Sequence, residues 1–166
     1  MRGILDRDPV AREGDELPLG WHWLYFKEAL RASQIGPDGH RTRGGFLPPI
    51  DLPRRMWAGG ELNALRPLRI GEVAELQSTV TEVKEKEGRS GPLAFVTVRH
   101  EVHQDGLAIE EQQTLVFRGE GRPGTPRPES PDDRVREPPD WSETFTPNSV
   151  TLFQFSALTY NAHRIH

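Results

Sequence analysis

The stretch Leu93-Ala-Phe-Val-Thr-Val-Arg-His-Glu-Val102 sets the fold class. Leu93, Phe95, Thr97, Arg99 and Glu101 fall on one face; Ala94, Val96, Val98, His100 and Val102 fall on the other, more apolar face. Strict alternation with β-branched residues is the signature of a half-buried strand. Ala74–Lys84 and Ala108–Phe117 alternate in the same way on either side. Gln104-Asp-Gly106 between two such runs is a hairpin signal. Glu85-Lys-Glu-Gly-Arg-Ser-Gly-Pro92 is polar with two glycines and reads as the preceding turn. A fourth strand is expected at Met56–Leu65, where Gly59-Gly60 marks a bulge or a close backbone approach. About four antiparallel strands with one helix to cover them make an α+β layered fold.

Helix signals are weaker. Trp21–Ala32 reads as strand-like first and helical later, with good helix formers over Phe26–Ala32 and a stop at Gly36-Pro-Asp-Gly39. Thr146-Pro147 has the form of an N-cap and first helical residue. A helix from Pro147 to about Leu158 places Val150, Phe153 and Ala157 on one stripe; its Val and Thr content keeps a strand open as the alternative.

The chain has 166 residues, 34% of them hydrophobic, with 16 Gly and 15 Pro. Mean hydropathy is -0.66. This composition predicts one modest core with long irregular segments. No run approaches the roughly 20 apolar residues of a membrane helix, and Met1–Arg12 has no apolar signal core. The absence of Cys excludes disulfides and thiol chemistry and suits a cytoplasmic setting. A net charge of -4 makes neither nucleic acid nor a membrane surface the expected partner. Six Pro and three Gly lie within residues 119–140, a density that marks a linker, before apolar residues return at 141–166.

Histidine supplies acid–base chemistry at neutral pH. His22 lies in an aromatic run and reads as packed and hydrogen-bonded rather than as a base. His40 lies in a turn and reads as solvated; His100 and His103 fall on opposite strand faces and cannot act as a pair. The terminal segment Ser156-Ala-Leu-Thr-Tyr-Asn-Ala-His-Arg-Ile-His166 sets a helix end against a loop bearing Asn161, His163, Arg164 and His166. Such a loop can present a general base; it is also an ordinary polar terminus. His163 and His166 at i, i+3 with no carboxylate nearby are a weak metal signal.

That segment resembles the hydratase signature of the MaoC-like hot-dog enzymes, Asp-x-Asn-Pro-aliphatic-His after a short helix. Asn161 stands at the signature's Asp and His166 at its His. The Asn variant is similar to the two-domain hydroxyacyl-thioester dehydratase branch, which includes mesaconyl-CoA and itaconyl-CoA hydratase-like proteins. Trp21-His-Trp-Leu-Tyr-Phe26, Gly44-Gly-Phe-Leu-Pro-Pro49, Leu52-Pro-Arg-Arg-Met-Trp-Ala-Gly-Gly60 and Glu85–Pro92 resemble the same branch in order and spacing.

The resemblance implies a hot-dog fold, an antiparallel sheet wrapped around a helix. Residues 1–118 would be the first hot dog, 119–140 the linker, and 141–166 the start of a second domain carrying the catalytic loop, its remainder beyond His166. The start of the first domain also looks short by one strand. The implied reaction is reversible syn addition of water to a trans-2-enoyl thioester on coenzyme A or acyl carrier protein, with no redox cofactor and no metal. His166 would be the base in hydration; Asn161, which cannot titrate, would orient water or hold His166. Arg164 is a candidate for pantetheine or phosphate contact, or a surface arginine. Arg55, Trp57, Gly59 and Gly60 are candidate substrate-binding residues, although this stretch and the Trp21–Phe26 knot read equally as packing. The alternative is a catalytically silent hot-dog module that binds acyl thioesters or pairs with a second hot-dog chain. Either reading anticipates a homo-oligomer or a partner chain.

Overall fold

The computed structural model describes residues 1, 3–5, 11–36, 39–42, 45–88, 91–120 and 140–161. Among them are six strands and one α-helix: β1 (Glu16–Leu17), β2 (Arg54–Ala64), β3 (Leu68–Arg69), β4 (Glu75–Gly88), β5 (Gly91–His103), β6 (Leu107–Arg118) and α1 (Ser149–Leu158). Strands β2, β6, β5 and β4 form one antiparallel sheet in that order, and β1 pairs with β3. This is the expected α+β, hot-dog-like arrangement.

The apolar face of β5 organises the sheet. Val96, Val98 and Val102 are its most deeply buried side chains, each stabilising the fold by roughly 1.5–3 kcal/mol. The register carries their face across the strands. Val98 opposes Gln113 and His100 opposes Glu111 on β6, and these in turn oppose Gly60 and Leu62 on β2. Ala94, Val96, Val98 and Phe117 form one core cluster, packed by Leu47, Ile50 and Leu52 from the segment preceding β2. Leu68, Val102, Ala108 and Ile109 form the second, with Leu17, Leu62 and Ala74 against it.

The turn after β5 is the expected hairpin, with Asp105 at φ 51° and Gly106 at φ 106°. The Arg66 guanidinium donates to the Gln104 and Asp105 carbonyls at 2.6 and 2.7 Å, fixing it against the connection into β3. Gly59-Gly60 meets both expectations: the register shifts between Trp57 and Gly59, and a Cβ on Gly60 would lie 2.7 Å from the Gln112 carbonyl oxygen.

Three expectations are corrected. Strand β4 continues through Glu85–Gly88 because Glu85, Lys86 and Glu87 pair with Ala94, Leu93 and Pro92, and the pairing runs on to Gly88 opposite Gly91. Phe26–Arg31 is not helical, and Ala32 only opens a short 3-10 turn, Ala32–Gln34. Trp21–Leu24 is a 3-10 turn, Tyr25 is extended and Phe26 is left-handed at φ 57°, so tertiary anchoring of the aromatic turn overrides local propensity. The last helix begins at Ser149 rather than Pro147, because Asn148 is the better cap. Its Oδ1 accepts from the Val150 and Thr151 amides at 3.0 Å each, while its own N–H donates to Thr151 Oγ1 at 2.8 Å. Most of the 119–140 linker lies outside the described residues, as do His163, Arg164 and His166.

Candidate functional site

A cleft of about 830 Å³ opens on the β5 apolar face, within the size range of small-molecule sites. Its floor includes Val98, His100 and Val102 of β5 and Glu111, Gln113 and Leu115 of β6. Arg55, Trp57, Gly60 and Leu62 of β2 extend it sideways. The N-terminal turn supplies His22, Trp23, Tyr25 and Phe26 to its wall, and Phe155, Thr159, Tyr160 and Asn161 at the end of α1 also line it.

Asn161 reaches the cleft because of how α1 ends. Tyr160 is left-handed at φ 55°. Its N–H donates to the Ala157 carbonyl at 3.2 Å, and the Asn161 N–H donates to the Ser156 carbonyl at 2.8 Å. This pair of bonds is a Schellman ending, built here without glycine. It reverses the chain and satisfies the last carbonyls. Thr159 Oγ1 adds a bond to the Phe155 carbonyl at 2.8 Å.

The floor carries a polar cluster in an otherwise apolar surface. Glu111 Oε2 accepts from Trp23 Nε1 at 2.9 Å and lies 3.3 Å from His22 Nε2. A carboxylate acceptor requires that nitrogen to carry the proton. His22 is 4% exposed, and its Nδ1 is buried with no hydrogen-bond partner. His100, directly across the ladder from Glu111, has its Nδ1 2.7 Å from Ser78 Oγ. Burial acts to raise the Glu111 carboxyl, but the hydrogen bonds from His22 and Trp23, with the charges of His22 and His100, outweigh it and hold the group below its ordinary value. These contacts favour the carboxylate form of Glu111. At the cleft edge, burial lowers the Lys27 ammonium.

Of the residues singled out from sequence, the cleft gathers Asn161, Arg55, Trp57 and Gly60. Gly59 opposes Thr114 on the other face of the sheet and does not line it. His22 is packed and bonded, as expected. His40 is a correction: it is half-buried and lines the cleft, because the preceding segment folds back on itself, with the Gly36 N–H donating to the His40 carbonyl at 2.7 Å. His166 and Arg164 lie outside the described residues. Sequence reasoning missed Glu111. Its signal was a carboxylate on the inward face of an alternating strand, between Ile109 and Leu115.

An antiparallel sheet whose apolar face floors a cleft closed by a helix terminus defines an α+β protein of the hot-dog kind. The model of the hydroxyacyl-thioester dehydratase type 2 family matches residues 20–166, and the chain belongs to that family. It is 47% identical over 154 residues to a mesaconyl-C(4)-CoA hydratase of Chloroflexus aurantiacus, covering 90% of this chain and 53% of that protein. It is 29% identical over 174 residues to the mitochondrial hydroxyacyl-thioester dehydratase type 2 of Schizosaccharomyces pombe, covering 90% and 57%. The chain thus spans about half the length of these relatives.

Proposed function

We propose that the chain contributes to an enoyl-thioester hydratase, or 3-hydroxyacyl-thioester dehydratase, acting on a substrate carried by coenzyme A or acyl carrier protein. The observation that carries this reading is the Schellman ending of α1, which directs Asn161 to an apolar-floored cleft large enough for an acyl thioester. In hydration, His166 takes a proton from water, the oxygen bonds to C3 of the enoyl group, and a proton is delivered to C2. Asn161 orients the water or holds His166 through its amide. Arg55 and Arg164 are the candidate contacts for carrier phosphates, with Trp57 and Gly60 against the thioester arm. No redox cofactor or metal takes part.

The name of the Chloroflexus relative supports testing mesaconyl-CoA, a branched five-carbon dicarboxylic enoyl-CoA, alongside a neutral one. Residues 141–166 are read as the opening of a second hot dog, joined by the 119–140 linker. The exposure of Val150 and Phe153 on α1, at 62% and 72%, supports pairing with a second hot-dog unit.

The test is the loss of enoyl-thioester absorbance when the chain meets crotonyl-CoA or mesaconyl-CoA. The expected result is hydration that vanishes in His166→Ala. Undiminished activity in that variant would remove His166 as the base. No turnover on either substrate would leave a binding module.

A further inference from the structure

His22, Tyr25 and Phe26 belong to two spaces at once. On one side they wall the 830 Å³ cleft; on the other they wall a second cavity of about 150 Å³. The second cavity is lined mainly by Leu17, Leu68, Ile70 and Ala74, apolar side chains of β1, β3 and the chain leading into β4, with Arg69, Glu72 and Gln104 also at its surface. Leu68 packs in the same core cluster as Val102, and Val102 lines the large cleft. The two spaces are therefore neighbours, with the segment from His22 to Phe26 standing between them.

Two side-chain tethers of that segment end on one atom, Oε2 of Glu111: Trp23 Nε1 at 2.9 Å and His22 Nε2 at 3.3 Å. His22 has no second tether, since its Nδ1 is buried without a hydrogen-bond partner. The chain then passes through Phe26 in the left-handed region, a conformation costly for an aromatic residue that persists only where its surroundings enforce it.

We infer that Glu111, by pinning His22 and Trp23, fixes an inner wall of His22, Tyr25 and Phe26 that sets the longest acyl chain the cleft accepts. This rests on the acyl-thioester reading above. Glu111 is a positioning residue here: it acts through His22 and Trp23. The wall residues are the specificity determinants. With the wall in place, an acyl chain entering over Val98 and Val102 ends at Phe26 and Tyr25. With a ring removed or the pin released, the chain continues into the apolar side cavity.

The test is calorimetric binding of saturated butyryl-, octanoyl- and dodecanoyl-CoA, which reads the wall without requiring turnover. The variants are Tyr25→Ala, Phe26→Ala and Glu111→Leu, each checked for its sheet spectrum. In the unaltered chain, affinity should stop rising with chain length. In the variants, the dodecanoyl-to-butyryl affinity ratio should rise by about tenfold or more, since each newly buried methylene is worth about fourfold. Equal ratios in the unaltered chain and both ring variants would overturn the wall. A uniform weakening of all three ligands in Glu111→Leu would overturn the pin and leave Glu111 a structural residue. If Glu111→Leu does not fold, the two ring variants decide the question of the wall, and Trp23→Phe, which removes one tether, decides that of the pin. Chain-length-dependent binding without hydration of any enoyl-CoA would refute the hydratase reading and leave the wall standing.

Discussion

Glu111 and His22, 89 positions apart, meet at 3.3 Å beneath the N-terminal aromatic turn. The contact joins the centre of the sheet to a segment with no regular structure beyond one short turn. Glu111 is held below its ordinary value despite the opposing effect of burial. A depressed carboxylate stabilises the fold above its unfolded pKa, and that contribution is lost as pH falls through the folded value. The unfolded reference is 4.5, so the loss should set in below about that pH. Glu111→Gln should lower stability at neutral pH and flatten the acid limb, as read from urea midpoints between about pH 3 and 7. An acid limb of unchanged slope would remove Glu111 as its source.

Gly60 and Gly59 are adjacent and should respond oppositely to a methyl group. A Cβ at Gly60 would meet the Gln112 carbonyl oxygen at 2.7 Å, while one at Gly59 has nothing within 4 Å. Gly60→Ala should cost about 1–3 kcal/mol, and Gly59→Ala should stay within about 0.5 kcal/mol of the parent. Urea denaturation of the two variants checks the contrast.

The cap of α1 makes a local prediction. Asn148 Oδ1 serves two amides, those of Val150 and Thr151. Asn148→Ala should cost about 1 kcal/mol of helix stability. Hydrogen exchange at Val150 and Thr151 should accelerate accordingly, while the β5 amides stay protected.

The helix itself predicts association. Val150, Leu152, Phe153, Phe155 and Leu158 lie on several sides of α1, each at least 38% exposed. An all-round apolar helix normally belongs in a packed interior. Light scattering should report a dimer or larger species, shifted toward monomer by Phe153→Glu. A compact monomer of the unaltered chain would contradict this.

The sheet was legible because period-two alternation is a local signal: Ala94, Val96, Val98 and Val102 read as one face and are buried as one. Gly60 was legible too, since the close backbone approach there excludes a Cβ. The segment Phe26–Ala32 was misread because the aromatic turn that leads into it is anchored far away, at Glu111. Nothing near Trp23 in the sequence reveals that its indole donates across 88 positions. Asn161 was singled out from its motif and lines the cleft; the left-handed Tyr160 before it carries no glycine to announce the turn.

The most direct test of the account is whether an enoyl thioester occupies the cleft. The chain has no cysteine, so single thiols report cleanly. Gln113 lines the cleft, whereas the exposed Gln112 next to it does not. Crotonyl-CoA should slow maleimide alkylation of Gln113→Cys several-fold and leave Gln112→Cys unchanged. Equal alkylation of Gln113→Cys with and without crotonyl-CoA would contradict the claim that this cleft is the substrate site.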